Sequence, residues 1–232
     1  MALCQQILKE EYQFVRAVHR SKKSELILYR HRTLQKHLLV LKTKEALDLT
    51  VYERLKAIRH PNLMQIYDIV QEGDITLIFE EYIDGMTLEG AGIMKPLGVK
   101  RVLRQLCDGV EALHSIGIIH RDLTLQNIML DRTGTVKIID FNISKAFRKR
   151  DDGESTLGTV SFAPPEQFGI TQTDERSDIF AIGILANLLL TGEHPSKQLY
   201  RPKSSLGRMI QKATSLNMDS RYRSAAELRR IL

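Results

Sequence analysis

Four short apolar runs, Glu25–Arg30, His37–Lys42, Leu63–Val70 and Ile75–Phe79, are set apart by polar breaks and have the length of antiparallel strands. Glu72-Gly73-Asp74 forms the turn signal between the last two. Leu47, Val51, Leu55 and Ile58 recur at helical spacing, and His60-Pro61-Asn62 stops that helix. After a connector over Tyr82–Gly85 the period changes. Val102, Leu103, Leu106, Val110 and Leu113 share one face of a helix predicted over Val99–Leu113, with Gly117 beyond its end. Ile179–Leu190 is apolar nearly all round, which predicts a helix running through the middle of its lobe. Ser224 with Glu227 three residues on is a capping-box start for a terminal helix over Ser224–Leu232. The pattern is therefore α+β. Residues 1–82 read as a β-rich lobe with one helix and 83–232 as a mainly helical lobe. No internal repeat or low-complexity linker divides them, so 1–232 reads as a single domain.

Composition agrees with a folded chain: 232 residues with a hydrophobic share of 43% and a charged share of 27%, enough to bury roughly 70–75% of the unfolded surface. Cys4 and Cys107 are far apart and lack a CxxC partner, which argues against a disulfide framework or a zinc site and for a reducing, cytoplasmic setting. Ile179–Leu190 is shorter than the roughly 20 residues that span a bilayer. The start, MALCQQILKEEY, has no basic segment before an apolar one, so no membrane span and no signal peptide are expected. The formal charge of +6 is spread widely, with local concentrations at Arg20–Lys23 and Arg148-Lys149-Arg150. No aromatic residues are interleaved with them, so they read as solvated surface and no specific nucleic-acid partner is expected.

The chemistry is concentrated in His120-Arg121-Asp122-Leu123-Thr124-Leu125-Gln126-Asn127, followed by Asp140-Phe141-Asn142. These segments resemble the catalytic loop HRDxxxxN and the DFG motif of protein kinases. Further matches recur in the family's order. Val40-Leu41-Lys42 resembles the third-strand lysine motif, and His60-Pro61-Asn62-Leu63 the turn after the regulatory helix. Glu81-Tyr82-Ile83-Asp84-Gly85 resembles the hinge, with Glu80 at the gatekeeper position. Gly158 to Gln167 is similar to the end of the activation segment, and Asp178 to Gly183 to the DxxxxG of the central helix. Arg221 falls where an ion-pair partner of Glu166 is expected. From about Tyr12 to its end the chain is similar to bacterial-type serine/threonine protein kinases.

The resemblance implies a two-lobed kinase fold, ATP and Mg²⁺ as cofactors, and a protein substrate or the chain itself as the acceptor. Asp122 is expected to orient or deprotonate the acceptor hydroxyl, and Asn127 and Asp140 to ligate Mg²⁺. Lys42 is expected to pair with the α- and β-phosphates. Glu81 and Ile83 would hold adenine through their backbones, with Val18, Leu26, Val40 and Met129 around the nucleotide. Arg121 beside Asp122 implies an activation segment ordered by phosphorylation, with Ser155 or Thr156 as the phosphosite and Lys145 as a second cation. Thr159 resembles the threonine that contacts the catalytic Asp in Ser/Thr-specific members, whereas Thr124 stands where those members usually carry Lys.

Two departures keep a second reading open. The positions expected to be glycine in the phosphate loop are His19, Ser21 and Ser24, and the lysine's glutamate partner on the regulatory helix is replaced by Val51. Glycine lets backbone N–H groups approach phosphate, and the Lys–Glu pair supports full activity. Weak activity, or a pseudokinase serving as a nucleotide-binding or interaction module, is the alternative that these residues carry. A small-molecule kinase shares the catalytic loop, but the Pro164-Pro165-Glu166-Gln167 end and Arg221 weigh against it.

Overall fold

A computed structural model of the protein describes residues 3–142, 144–146, 174–201 and 203–232. It divides into two compact units, residues 1–59 with 64–84 and residues 60–63 with 85–232.

The first unit is a five-stranded antiparallel sheet with two helices. Helix α1 (Leu3–Glu11) leads into β1 (Tyr12–Arg20), followed by β2 (Ser24–His31), β3 (His37–Thr43), helix α2 (Leu49–Ala57), β4 (Ile66–Glu72) and β5 (Ile75–Glu81). The strand order is β1-β2-β3-β5-β4. Helix α1 and the full nine-residue length of β1 have no counterpart among the sequence-based elements. β1 exposes Phe14, Val15 and Val18, so it lacks the half-buried alternation that marks a strand. Asp48 caps α2 by accepting the Thr50 backbone N–H at 3.1 Å, and Val51, Tyr52 and Leu55 are buried on its inner side.

Pairing places alternate residues of β3 on opposite faces. Val40 pairs with Ile27 of β2 and Phe79 of β5, and Lys42 pairs with Leu77. Leu38, Val40, Leu77 and Phe79 form one buried cluster, against which Leu8 of α1, Tyr12 and Tyr29 pack. Leu39 pairs with Leu28 and Glu80, and Leu41 with Leu26 and Ile78, so these six residues belong to the other face.

The second unit runs β6 (Gly85–Thr87), α3 (Leu88–Ala91), α4 (Pro96–Ser115), β7 (Ile118–Ile119), β8 (Ile128–Asp131), β9 (Val136–Ile138), β10 (Lys145–Ala146), α5 (Arg176–Thr191), α6 (Ser205–Ala213) and α7 (Ala225–Arg229). Two small sheets, β6-β8-β9 and β10-β7, carry the loops of the candidate site. Helix α5 is buried along nearly its whole length, as its unbroken apolar composition requires. Gly183 gives it a close approach to α6, because a Cβ there would sit 2.9 Å from Ala213 Cβ. The segment His60–Leu63 docks on this unit through Asn62, whose Nδ2 donates to Val136 O at 2.9 Å and to Gln105 Oε1 at 3.2 Å. Ser224 caps α7 by accepting the Glu227 N–H at 3.1 Å, while the Glu227 carboxylate reaches past the cap to the Arg223 N–H at 2.7 Å. The box is thus displaced by one residue.

Candidate active site

The segment between β7 and β8 holds the candidate catalytic loop. Its backbone is anchored from below by Asp178 of α5, which is fully buried. Asp178 Oδ2 accepts the His120 N–H and Oδ1 the Arg121 N–H, each at 2.9 Å. Arg121 itself takes a left-handed φ of 69°, a conformation costly for a side-chain-bearing residue. The two bonds to Asp178 hold it there. His120 stands edge-on to Phe141 with ring centroids 5.2 Å apart, and the Ser144 hydroxyl donates to His120 O at 3.1 Å. The loop and the segment around Asp140 are therefore packed as one piece.

His114, at the end of α4, completes this support and has no signature in the sequence that separates it from any core histidine. Its Nε2 donates to Asp178 Oδ2 at 2.9 Å. Burial opposes protonation of His114, but the hydrogen bond to Asp178 and the carboxylates of Asp178, Glu175 and Glu111 outweigh it and raise its pKa. Burial likewise opposes ionisation of Asp178. The His114 hydrogen bond and charge, with help from His120, nevertheless hold its carboxyl below the usual range. The pair thus favours the charged form of each partner.

At the loop's far end Asn127 turns its amide back on Asp122. Nδ2 donates to Asp122 Oδ2 at 2.8 Å and to Asp122 O at 3.0 Å. The carboxylate is oriented by a neutral donor, and the amide oxygen points away from it. Thr124 is buried and accepts the Asn127 N–H through its carbonyl (3.2 Å) and its hydroxyl (3.3 Å), serving here as a loop brace. Ile139 N donates to Asn127 O at 2.9 Å, which ties the Asn127 segment to the residue before Asp140. Asp140 is exposed with φ of 63°, and its Oδ1 accepts the Asn142 N–H at 3.1 Å. One amide oxygen and one carboxylate suit Mg²⁺, which takes few protein ligands and fills its shell with water and phosphate oxygens. Among the described residues no cluster of three or more His, Cys, Asp or Glu competes as a metal centre.

The first unit separates residues that the sequence reading grouped. Lys42 and Val40 lie on the sheet face that α1 covers, whereas Leu26 and the gatekeeper Glu80 belong to the opposite face. The four cannot form one wall. A strand's side-chain period is two, so the one-residue difference between Leu41 and Lys42 sends the ammonium to the other side. Leu39, Leu41 and Thr43 are β3 residues that share the face of Ile78 and Glu80. Val18 on β1 is exposed, Met129 on β8 is half-buried, and Ile83 is buried. Val51, in the helix-glutamate position, is fully buried, and Glu53 is exposed.

The turn between β1 and β2 closes on itself. Ser21 N donates to Ser24 O at 2.8 Å, and the Ser21 hydroxyl accepts the Lys23 N–H at 3.2 Å and the Ser24 N–H at 2.9 Å. Lys44 N donates to Lys23 O at 2.8 Å. Amides that a glycine-rich loop would offer to phosphate are spent within this turn. Ser155, Thr156, Thr159 and Glu166 lie outside the described residues. Lys145 is placed by its backbone pairing with Ile119. Arg221 is buried, donating from Nε to Ser215 O at 2.8 Å and from Nη1 to Arg176 O at 3.1 Å, with its guanidinium over the Phe180 ring.

The family model for the protein kinase domain matches residues 21–230. The chain is 32% identical to the serine/threonine-protein kinase PrkC of Bacillus subtilis over 73% of its own length and 30% of that protein. It is 30% identical to the serine/threonine-protein kinase PknB of Mycobacterium tuberculosis, over 82% of the chain and 37% of that protein. The chain thus spans about a third of the length of these relatives. It belongs to the protein kinase domain family and has that family's two-lobed α+β fold. No described helix is long and apolar enough to cross a membrane.

Proposed function

We propose that the chain is a MgATP-dependent serine/threonine protein kinase that transfers the γ-phosphate to a hydroxyl on itself or on another protein. The observation that carries this reading is the Asp122–Asn127 arrangement braced by Asp178. Asp122 would receive or orient the acceptor proton, with its carboxylate held in one orientation by the Asn127 amide. Asn127 and Asp140 would hold Mg²⁺, which when bound with ATP supplies neutralisation of phosphate charge. Adenine would lie along the backbone of Glu81 and Ile83, on the face of Glu80. The names of PrkC and PknB favour Ser and Thr as acceptors. A cytoplasmic location accords with Cys4 and Cys107 standing far apart in the sequence without a CxxC partner.

The self-bonded Ser21 turn and the facing of Lys42 favour a second reading, a nucleotide-binding pseudokinase. Incorporation of γ-phosphate from labelled MgATP, into the chain and into a basic protein substrate, separates the two. An active enzyme should lose about 10²–10⁴-fold of its incorporation on Asp122→Asn. Incorporation absent from the parent, or equal in parent and variant, overturns the kinase reading. A MgATP-induced rise in melting temperature without incorporation supports the pseudokinase.

A further inference from the structure

The connection from α5 to α6 gathers positive charge. Residues 192–208 carry Lys197, Arg201, Lys203 and Arg208 against Glu193 alone, and Glu193 is taken by Lys197 at 3.6 Å. Among the described residues no carboxylate pairs with Arg201, Lys203 or Arg208, and all three are exposed. They are also close along the backbone. Arg201 O accepts the Ser204 N–H at 2.8 Å, and Arg208 Nη1 donates to Lys203 O at 2.6 Å. The backbone that carries them is fixed from inside. Asn187 of α5, fully buried, donates from Nδ2 to Glu193 O at 2.6 Å and to Gln198 O at 2.7 Å, and its Oδ1 accepts the Tyr200 N–H at 2.9 Å. Gly207 lets α6 press on the same segment, because a Cβ there would sit 2.5 Å from Tyr200 O and closer still to Arg201 O. Arg201 takes a φ of 29°, a backbone position that glycine would occupy at less cost. Folding therefore does not call for an arginine there.

We propose that this surface binds an acidic segment of a partner protein, a run of Asp and Glu side chains laid along Arg201, Lys203 and Arg208. Charge complementarity carries the choice of partner. Three like charges held together raise the energy of the free chain, and a polyanionic segment relieves that cost. Because the backbone is already fixed, little ordering entropy is lost on this side when a peptide docks. A nucleic acid is the poorer fit. Tyr200 is the only Tyr, Phe or Trp among residues 192–208, and its half-buried ring has the Arg201 guanidinium across its face, 5.6 Å from the centroid, which leaves no platform for stacked bases. The surface lies outside the Asp122 arrangement, so the inference holds for a kinase and for a pseudokinase alike.

The test therefore measures binding alone. A fluorescein-labelled peptide alternating Glu and Gly should show a saturable rise in anisotropy when titrated with the full chain, and a peptide alternating Gln and Gly with the same label should not. Replacing Arg201, Lys203 and Arg208 together by Gln should weaken binding at least about tenfold, since each exposed ion pair contributes roughly two- to fivefold. Replacing Arg16, Lys22 and Lys36 by Gln removes the same charge from exposed positions of the first unit and should weaken it less than about twofold. Arg201→Gly separates a structural role from a binding one. With the φ cost relieved, its melting temperature should be unchanged or higher while affinity falls roughly two- to fivefold, and it supplies the comparison if the triple variant does not fold. No saturable response, equal binding of the Gln peptide, undiminished affinity in the folded variants, an equal loss in the first-unit variant, or tighter binding of a labelled single-stranded oligonucleotide than of the acidic peptide would overturn the proposal.

Discussion

His114 Nε2 and Asp178 Oδ2 meet at 2.9 Å in the interior of the second unit, joining the end of α4 to the first turn of α5 beneath the catalytic loop. The same oxygen accepts the His120 N–H, so one carboxylate holds both the His114 ring and the loop backbone. Removing it takes away the acceptor of two buried backbone N–H groups and of the His114 ring. Asp178→Ala should cost about 3–5 kcal/mol, the penalty for breaking a buried pair. Urea denaturation followed by circular dichroism measures it. A loss below about 1 kcal/mol would mean that the loop holds its shape without this anchor.

The pair also gives stability a pH dependence with a definite sign. His114 has a raised folded pKa, so its contribution is complete below the unfolded value of about 6.5 and is lost as pH rises through the folded value. Asp178, with a lowered folded pKa, contributes above about 3.9 and loses that contribution as pH falls through its folded value. The urea midpoint should therefore decline on the alkaline side of pH 6.5, by at most about 1.4 kcal/mol per pH unit for one proton. His114→Gln should flatten that limb. An unchanged pH profile in the variant would assign the titration elsewhere.

The parts legible in the sequence are those whose information is local. HRDxxxxN is contiguous, and its geometry follows from a short loop between β7 and β8. The buried course of α5 is written in its unbroken apolar run. Facing in β3 is different. His37-Leu38-Leu39-Val40-Leu41-Lys42-Thr43 is apolar on both faces, so alternation within the strand does not say which residues turn toward Glu80. That is decided by hydrogen-bonded register with β2 and β5, which are distant in sequence. His114 was illegible for a related reason, because its partner lies 64 residues away.

The β1–β2 turn should respond to glycine. Ser21 occupies the amides of Lys23 and Ser24 with its own hydroxyl. Replacing His19, Ser21 and Ser24 together by Gly removes that acceptor and the side chains that narrow the backbone's range. MgATP should then produce a larger rise in melting temperature than it does in the parent chain. Ser21→Ala alone should give a smaller gain, since the hydroxyl is lost but the Cβ remains. A triple variant with no added response to MgATP would mean that phosphates do not approach this turn.

Lys42 provides the sharpest contrast between motif and structure. If its ammonium held nucleotide phosphates, Lys42→Met would abolish γ-phosphate incorporation as completely as Asp122→Asn. The pairing of Lys42 with Leu77, and of Leu41 with Ile78, instead turns Lys42 away from the Glu80 face. Lys42→Met is therefore expected to retain incorporation within about twofold of the parent, in line with the small effect of most surface substitutions. Leu41→Asp supplies the converse, because a carboxylate on the Glu80 face would repel both that residue and phosphate. It should reduce the MgATP-induced melting shift. Measured side by side, a Lys42→Met variant that loses incorporation and a Leu41→Asp variant that keeps its melting shift would show that β3 presents its other face to the nucleotide.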